Sequence, residues 1–212
     1  MGVIEMNVWY VSYGSNLCKD RFMCYIQGGK PEGSVKIEKG CRDQTPPEAD
    51  EKVDLMYPLY FSKERSKWGE GGVAFISHDK LSAWKTIGRM YLITDEQFED
   101  VVAQENNQDK LSIDLHKVIE NGYQDINKSW YGRILFLGYM DKAPMFTFTN
   151  PNPMNDEKFT LPPASYLKII SRGLMELGLH TEEIIRYFHT CMGINGKFTT
   201  DKLHQYIFSE RG

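Results

Sequence analysis

Residues 7–17 read NVWYVSYGSNL, a run of β-branched and aromatic residues that breaks abruptly into Gly14, Ser15 and Asn16. Such a run predicts a buried strand, and the three residues after it predict a turn. Gly14 has no Cβ to block an approaching ligand, so the successive backbone N–H groups of this loop can point outward together. A cluster of that kind binds anions. The first strand therefore delivers a donor loop, and the rest of the chain must be read for what surrounds it.

Comparable apolar runs recur at 54–62, 71–78, 86–94, 131–140 and 143–150, which makes about six strands. Only Asp141 and Lys142 separate the last two, so these are expected to form an antiparallel hairpin. Helical signals lie elsewhere. The stretch TDEQFEDVVAQEN (94–106) opens with Thr94 and has Gln97 three residues on, a capping box with acids in its first turn. Two consecutive helices follow in the C-terminal third, one over 165–178 closed by Gly178 and one starting at Thr181. Strands first and helices later is the pattern of an α+β fold, here expected as a small mixed or antiparallel β-barrel of about six strands flanked by helices. The polar, Gly- and Pro-rich stretches 28–52 and 150–163 read as surface loops of a single domain spanning residues 1–212.

Composition narrows the function. The 212 residues are 41% hydrophobic, enough for a sizeable core, and 25 Lys plus Arg against 29 Asp plus Glu leave a net charge of -4. Nothing here favours nucleic acid or an acidic membrane as partner. No stretch reaches the roughly 18 apolar residues of a membrane span, and the N-terminus lacks the pattern of a secretory signal, so the expected compartment is cytoplasmic. Cys18, Cys24, Cys41 and Cys191 show no metal or disulfide spacing and are read as reduced thiols. The five histidines form no close ligand pair, and no metal site is expected. Ser15 lies in Y-G-S-N-L rather than G-x-S-x-G, which argues against a serine nucleophile.

One residue of the 94–106 helix breaks its own pattern. Phe98, Val101 and Val102 form an apolar stripe whose next position is Glu105. Partial burial and the C-terminal end of the helix dipole both act against the ionised carboxylate there. From spacing alone two outcomes stay open: the last turn frays and the acid enters water, or the acid is kept for its reactivity. A donor loop and a misplaced carboxylate are complementary halves of an acyl-transfer site, one for an oxyanion and one for protons.

Together, YGSNL (13–17) after a first strand and a Glu at the end of a later helix resemble the γ-glutamylcyclotransferase family. WGEGGVAFI (68–76), GRMYLIT (88–94) and LPPASYLKII (161–170) are similar to further motifs of that family, so the resemblance spans most of the chain. It departs at Asn106, where the family's Glu is usually followed by Gly. The resemblance implies an enzyme, an acyltransferase or lyase that releases 5-oxoproline and a free amine or amino acid from a small γ-glutamyl compound. Glu105 is then the catalytic acid and base, and Tyr13, Gly14, Ser15, Asn16 and Leu17 bind substrate with Tyr166 in support. Arg21 and Arg89 are candidates for the substrate's α-carboxylate by proximity to the motifs. No cofactor is needed by this chemistry, and a homodimer is compatible with it. The alternatives are a γ-glutamyl amide hydrolase on the same site and a non-catalytic small-molecule binding module.

Overall fold

The computed structural model describes residues 6–32 and 37–209. In chain order these form β1 (Asn7–Ser12), α1 (Lys19–Gln27), β2 (Ala49–Leu55), β3 (Leu59–Ser62), β4 (Arg65–Ser66), β5 (Gly69–Glu70), β6 (Val73–Ile76), β7 (Thr86–Thr94), α2 (Asp95–Glu105), α3 (Leu115–Asn121), β8 (Tyr123–Asp125), β9 (Arg133–Met140), β10 (Ala143–Thr149), α4 (Ala164–Glu176), α5 (Thr181–Thr190) and α6 (Thr200–Phe208). The class is α+β. The elements gather into two compact units, the first from residues 6–12, 20–53 and 88–151, the second from 13–19, 54–87 and 152–209.

The first unit is built on a six-stranded mixed sheet ordered β2-β7-β1-β10-β9-β8. β1 lies inside it, parallel to β10 and antiparallel to β7. The predicted hairpin is present: Met140 pairs with Ala143 across β9 and β10, and Asp141 and Lys142 both take positive φ, 49° and 70°. Two positive φ values in a two-residue loop match the twist of the strands they join. The expected barrel does not close, because β2 and β8 are the two edges of an open sheet. Each edge is blunted in its own way, β2 by exposed Glu51 and Lys52 and β8 by being three residues long. The core of this unit gathers Val8 and Tyr10 of β1, Phe22 and Ile26 of α1, and Phe98, Val101 and Val102 of α2.

The second unit holds two short ribbons and the C-terminal helices. β3 pairs with β6, and β4 with β5. The run at 54–62 is thus not one strand: it is split by Pro58, which offers no N–H to a ladder. Among the described residues the C-terminal third carries three helices rather than two. α6 was not legible because only Leu203 and Ile207 of its nine residues are buried, too sparse a stripe to read. Gly173 of α4 permits the closest packing here: a Cβ on it would lie 2.3 Å from the carbonyl carbon of Leu17. That contact sets α4 directly on the 3-10 turn Ser15–Leu17.

Of the four tryptophans only Trp9 is buried; Trp68 and Trp84 are half-buried and Trp130 is exposed. No helix among the described residues is long and apolar enough to cross a membrane.

Candidate active site

The sequence after β1 does turn as expected. Ser15–Leu17 form one turn of 3-10 helix, closed by the Leu17 N–H donating to the Gly14 carbonyl (3.0 Å) and the Cys18 N–H to that of Ser15 (3.2 Å). The Leu17 amide is spent on the turn. Tyr13, Ser15, Asn16 and Leu17 are buried, while Gly14 is partly open.

Two sequence-distant stretches meet this loop inside the second unit. The Tyr166 hydroxyl of α4 lies 3.0 Å from where a Cβ on Gly14 would stand, so the glycine is what lets it approach. That hydroxyl accepts a hydrogen bond from the Ala74 N–H of β6 (3.3 Å). The Tyr166 ring packs on Trp68, with centroids 5.2 Å apart, and edge-on against Phe61. Gly71 and Gly72 shape the same corner: the Gly72 N–H donates to the Leu161 carbonyl (3.0 Å), just before Pro162 and Pro163 lead into α4. Motifs that are far apart in the chain, 13–17, 68–76 and 161–170, thus share one corner of one unit.

Glu105 lies in the first unit as the last residue of α2, half-buried. The capping box that starts this helix is formed: Gln97 N–H donates to Thr94 Oγ1 and Thr94 N–H to Gln97 Oε1, both 3.1 Å. The end does not fray. Asn106 is buried, and its Nδ2 donates to the carbonyls of Val102 (2.8 Å) and Tyr131 (3.2 Å), while the Ser129 hydroxyl donates to its Oδ1. Asn106 does not stand in for a left-handed glycine, since its φ is -95°; the left-handed residue is Asn107, at 52°. Asn106→Ala is therefore expected to cost about 1–3 kcal/mol, the usual result of leaving buried partners unmet. Asn106→Gly is expected to destabilise as well, because a backbone at φ -95° gains nothing from glycine. Urea unfolding of both variants measures this.

The carboxylate of Glu105 is bonded to the phenol of Tyr25 on α1, a residue sequence reasoning did not name. Burial foremost, and then the negative charge of Glu105, hold the Tyr25 pKa well above its ordinary range, so the phenol stays protonated. Arg21 Nη2 donates to the same hydroxyl (3.1 Å) and lies 3.7 Å from the buried carboxylate of Glu38. Arg21 is thus engaged inside the first unit, and Arg89 is buried beside Asp50 at 3.4 Å. Tyr25 could have been found from α1 itself, where Phe22, Tyr25 and Ile26 form a helical stripe with Arg21 one turn before the tyrosine.

The other candidate nucleophiles are not prepared for the task. All four cysteines are free thiols, and burial raises the pKa of Cys191 to about 12 and that of Cys41 higher still. Among the described residues no group of three His, Cys, Asp or Glu side chains is arranged to hold a metal ion. An open groove of about 580 Å³ on the first unit involves His116, Glu120, Tyr139, Asp141 and Lys142; none of the catalytic or substrate-binding candidates from the sequence lines it.

No family model matches the chain. It is 36% identical over 196 residues to histone deacetylase 5 of Arabidopsis thaliana, an alignment covering 84% of this chain and 30% of that protein. The chain thus spans about 30% of the length of the curated relative it matches. Among solved structures it is similar to a γ-glutamyl cyclotransferase, with a TM-score of 0.51 at 15% identity over 94% of this chain and 98% of the other. A human protein described as uncharacterized aligns over the same shares at 15% identity and a TM-score of 0.49. What the likeness establishes is the fold, which this chain shares with a γ-glutamyl cyclotransferase.

Proposed function

We propose that this chain is a γ-glutamyl cyclotransferase that releases 5-oxoproline and a free amine or amino acid. The observation that carries the reading is the meeting of Gly14, Ala74 and Tyr166 in one corner, on a fold shared with an enzyme of that name. The Glu105 carboxylate takes a proton from the substrate α-ammonium, and the freed nitrogen attacks the γ-carbonyl carbon. Negative charge develops on that carbonyl oxygen and is met by the amides of Gly14, Ser15 and Asn16. Collapse breaks the original amide bond, and the leaving amine takes its proton from Glu105. No water is consumed and no cofactor takes part.

The attack is intramolecular, so holding the substrate curled supplies most of the entropic advantage over hydrolysis. A hydrolase on the same site would release glutamate instead, and product mass separates the two. Tyr166 supports the substrate through its hydroxyl in this reading. Tyr166→Phe is expected to lower kcat tenfold or more, on the order of what one transition-state hydrogen bond contributes. It should also cost about 1 kcal/mol of stability through the lost Ala74 bond. A stability loss with unchanged turnover would reduce Tyr166 to a structural prop. The working compartment in this reading is the cytosol.

A second reading is a binding module without turnover, favoured by the match to one part of a larger chain, histone deacetylase 5. Such a module would bind γ-glutamyl compounds and leave them intact.

A further inference from the structure

The half-buried acid at the end of α2 is held by a chain of groups that no motif announced. Arg21 and Tyr25 stand one turn apart on α1, with the guanidinium donating to the phenol oxygen at 3.1 Å and lying 5.3 Å from the ring centroid. Glu38 comes from the stretch that reads as a surface loop, yet it is only 2% exposed. It is brought there by a two-bond bridge, Gly29 N–H to the Glu38 carbonyl (3.0 Å) and Glu38 N–H to that of Gly29 (2.8 Å). Gly28 and Gly40 close this bridge with φ of 77° and 84°; a Cβ on Gly40 would fall 2.6 Å from the Gly28 nitrogen.

The backbone on either side of Glu105 is also fixed. Gln104 Nε2 donates to the Tyr25 carbonyl (3.0 Å) and its Oε1 accepts from the Gly40 N–H (3.3 Å), which ties α2 to α1 and to the loop at once. Asn106 locks the other side through Val102 and Tyr131. The remaining freedom lies in the Glu105 side chain, and Tyr25 is bonded to it.

We propose that Tyr25 is the positioning residue for Glu105: the Glu38–Arg21 pair fixes the Tyr25 hydroxyl, and that hydroxyl fixes the carboxylate in its reactive rotamer. This rests on the proposed role of Glu105 as proton shuttle. The choice of a phenol has a physical reason. A guanidinium touching the carboxylate directly would hold it ionised and oppose the return of a proton, whereas a neutral phenol orients it and leaves it able to change state. Glu38 balances Arg21 so that the buried phenol is polarised without being ionised. The charged groups around Tyr25 are then Arg21 from α1, Glu38 from the loop and Glu105 from α2, while Asp100 of α2 is taken up by Arg42 at 2.9 Å.

Two readouts test this. In protein labelled with 13C at the tyrosine ζ carbons, Tyr25→Phe assigns the Tyr25 signal, and Glu105→Gln and Glu38→Gln are each expected to move it. With a γ-glutamyl amine as substrate, Tyr25→Phe is expected to lower kcat about tenfold with KM within about twofold, the split expected of lost positioning rather than lost binding. A Tyr25 signal unmoved by Glu105→Gln, or a Phe variant with wild-type kcat, would overturn the assignment. If the wild-type protein turns over no γ-glutamyl compound, the proposed function fails, and the NMR readout alone still decides whether the relay exists.

Discussion

Glu105→Gln is expected to lower release of 5-oxoproline by about 10²–10⁴-fold, the range that a positioned proton-transfer group supplies. The amide has the size of the carboxylate and its oxygen still accepts from Tyr25, so the bond that anchors the side chain survives. Folding stability should therefore stay within about 1 kcal/mol of wild type. Binding of a γ-glutamyl compound should remain near normal. Glu105→Ala is likewise expected to fold, since the helix end is held by Asn106 rather than by the acid. Rates from mass detection of 5-oxoproline, set beside calorimetric binding, separate the proton shuttle from a binding role.

Gly173→Ala is expected to damage both the fold and the donor loop. The added Cβ would stand 2.3 Å from the Leu17 carbonyl carbon and 2.4 Å from the Cys18 nitrogen. These are backbone atoms, so no side-chain rotation relieves the overlap, and α4 and the turn must separate. Overpacking of this kind costs about 1–3 kcal/mol, and the rigidity of the partners places this site at the upper end. The same separation carries Tyr166 away from Gly14, because both sit on the elements forced apart, and turnover should fall on the order of 10²-fold even where the variant is folded. Urea unfolding and the product assay read the two effects separately; wild-type stability in this variant would show that the contact yields more easily than its geometry implies.

How much of this was legible follows from which residues carry their own reasons. The capping box at Thr94 and Gln97 and the two-residue hairpin loop at Asp141 and Lys142 are local devices, complete within a few positions, and both read directly. The corner formed by Gly14, Ala74 and Tyr166 was legible only as separate motifs, because what joins them is the approach of α4 to the turn. β2 was hidden by charge: an edge strand with exposed Glu51 and Lys52 reads as a loop, since one side of it faces water. Closure of the barrel was misjudged because alternation within strands does not say whether the last strand meets the first. Glu38 was the least visible of all. A carboxylate in a Gly-rich polar stretch has no local signal of burial, and its partner Arg21 lies 17 residues earlier in the chain.

The central claim is that an acid and a set of backbone donors close a γ-glutamyl group on itself. The most direct measurement is incubation of the wild-type protein with a panel of γ-glutamyl amines and dipeptides, with mass detection of the products. The account predicts 5-oxoproline and the free amine in equal amounts, and none above background from Glu105→Gln. Glutamate in place of 5-oxoproline, or equal yields from the two proteins, would contradict it.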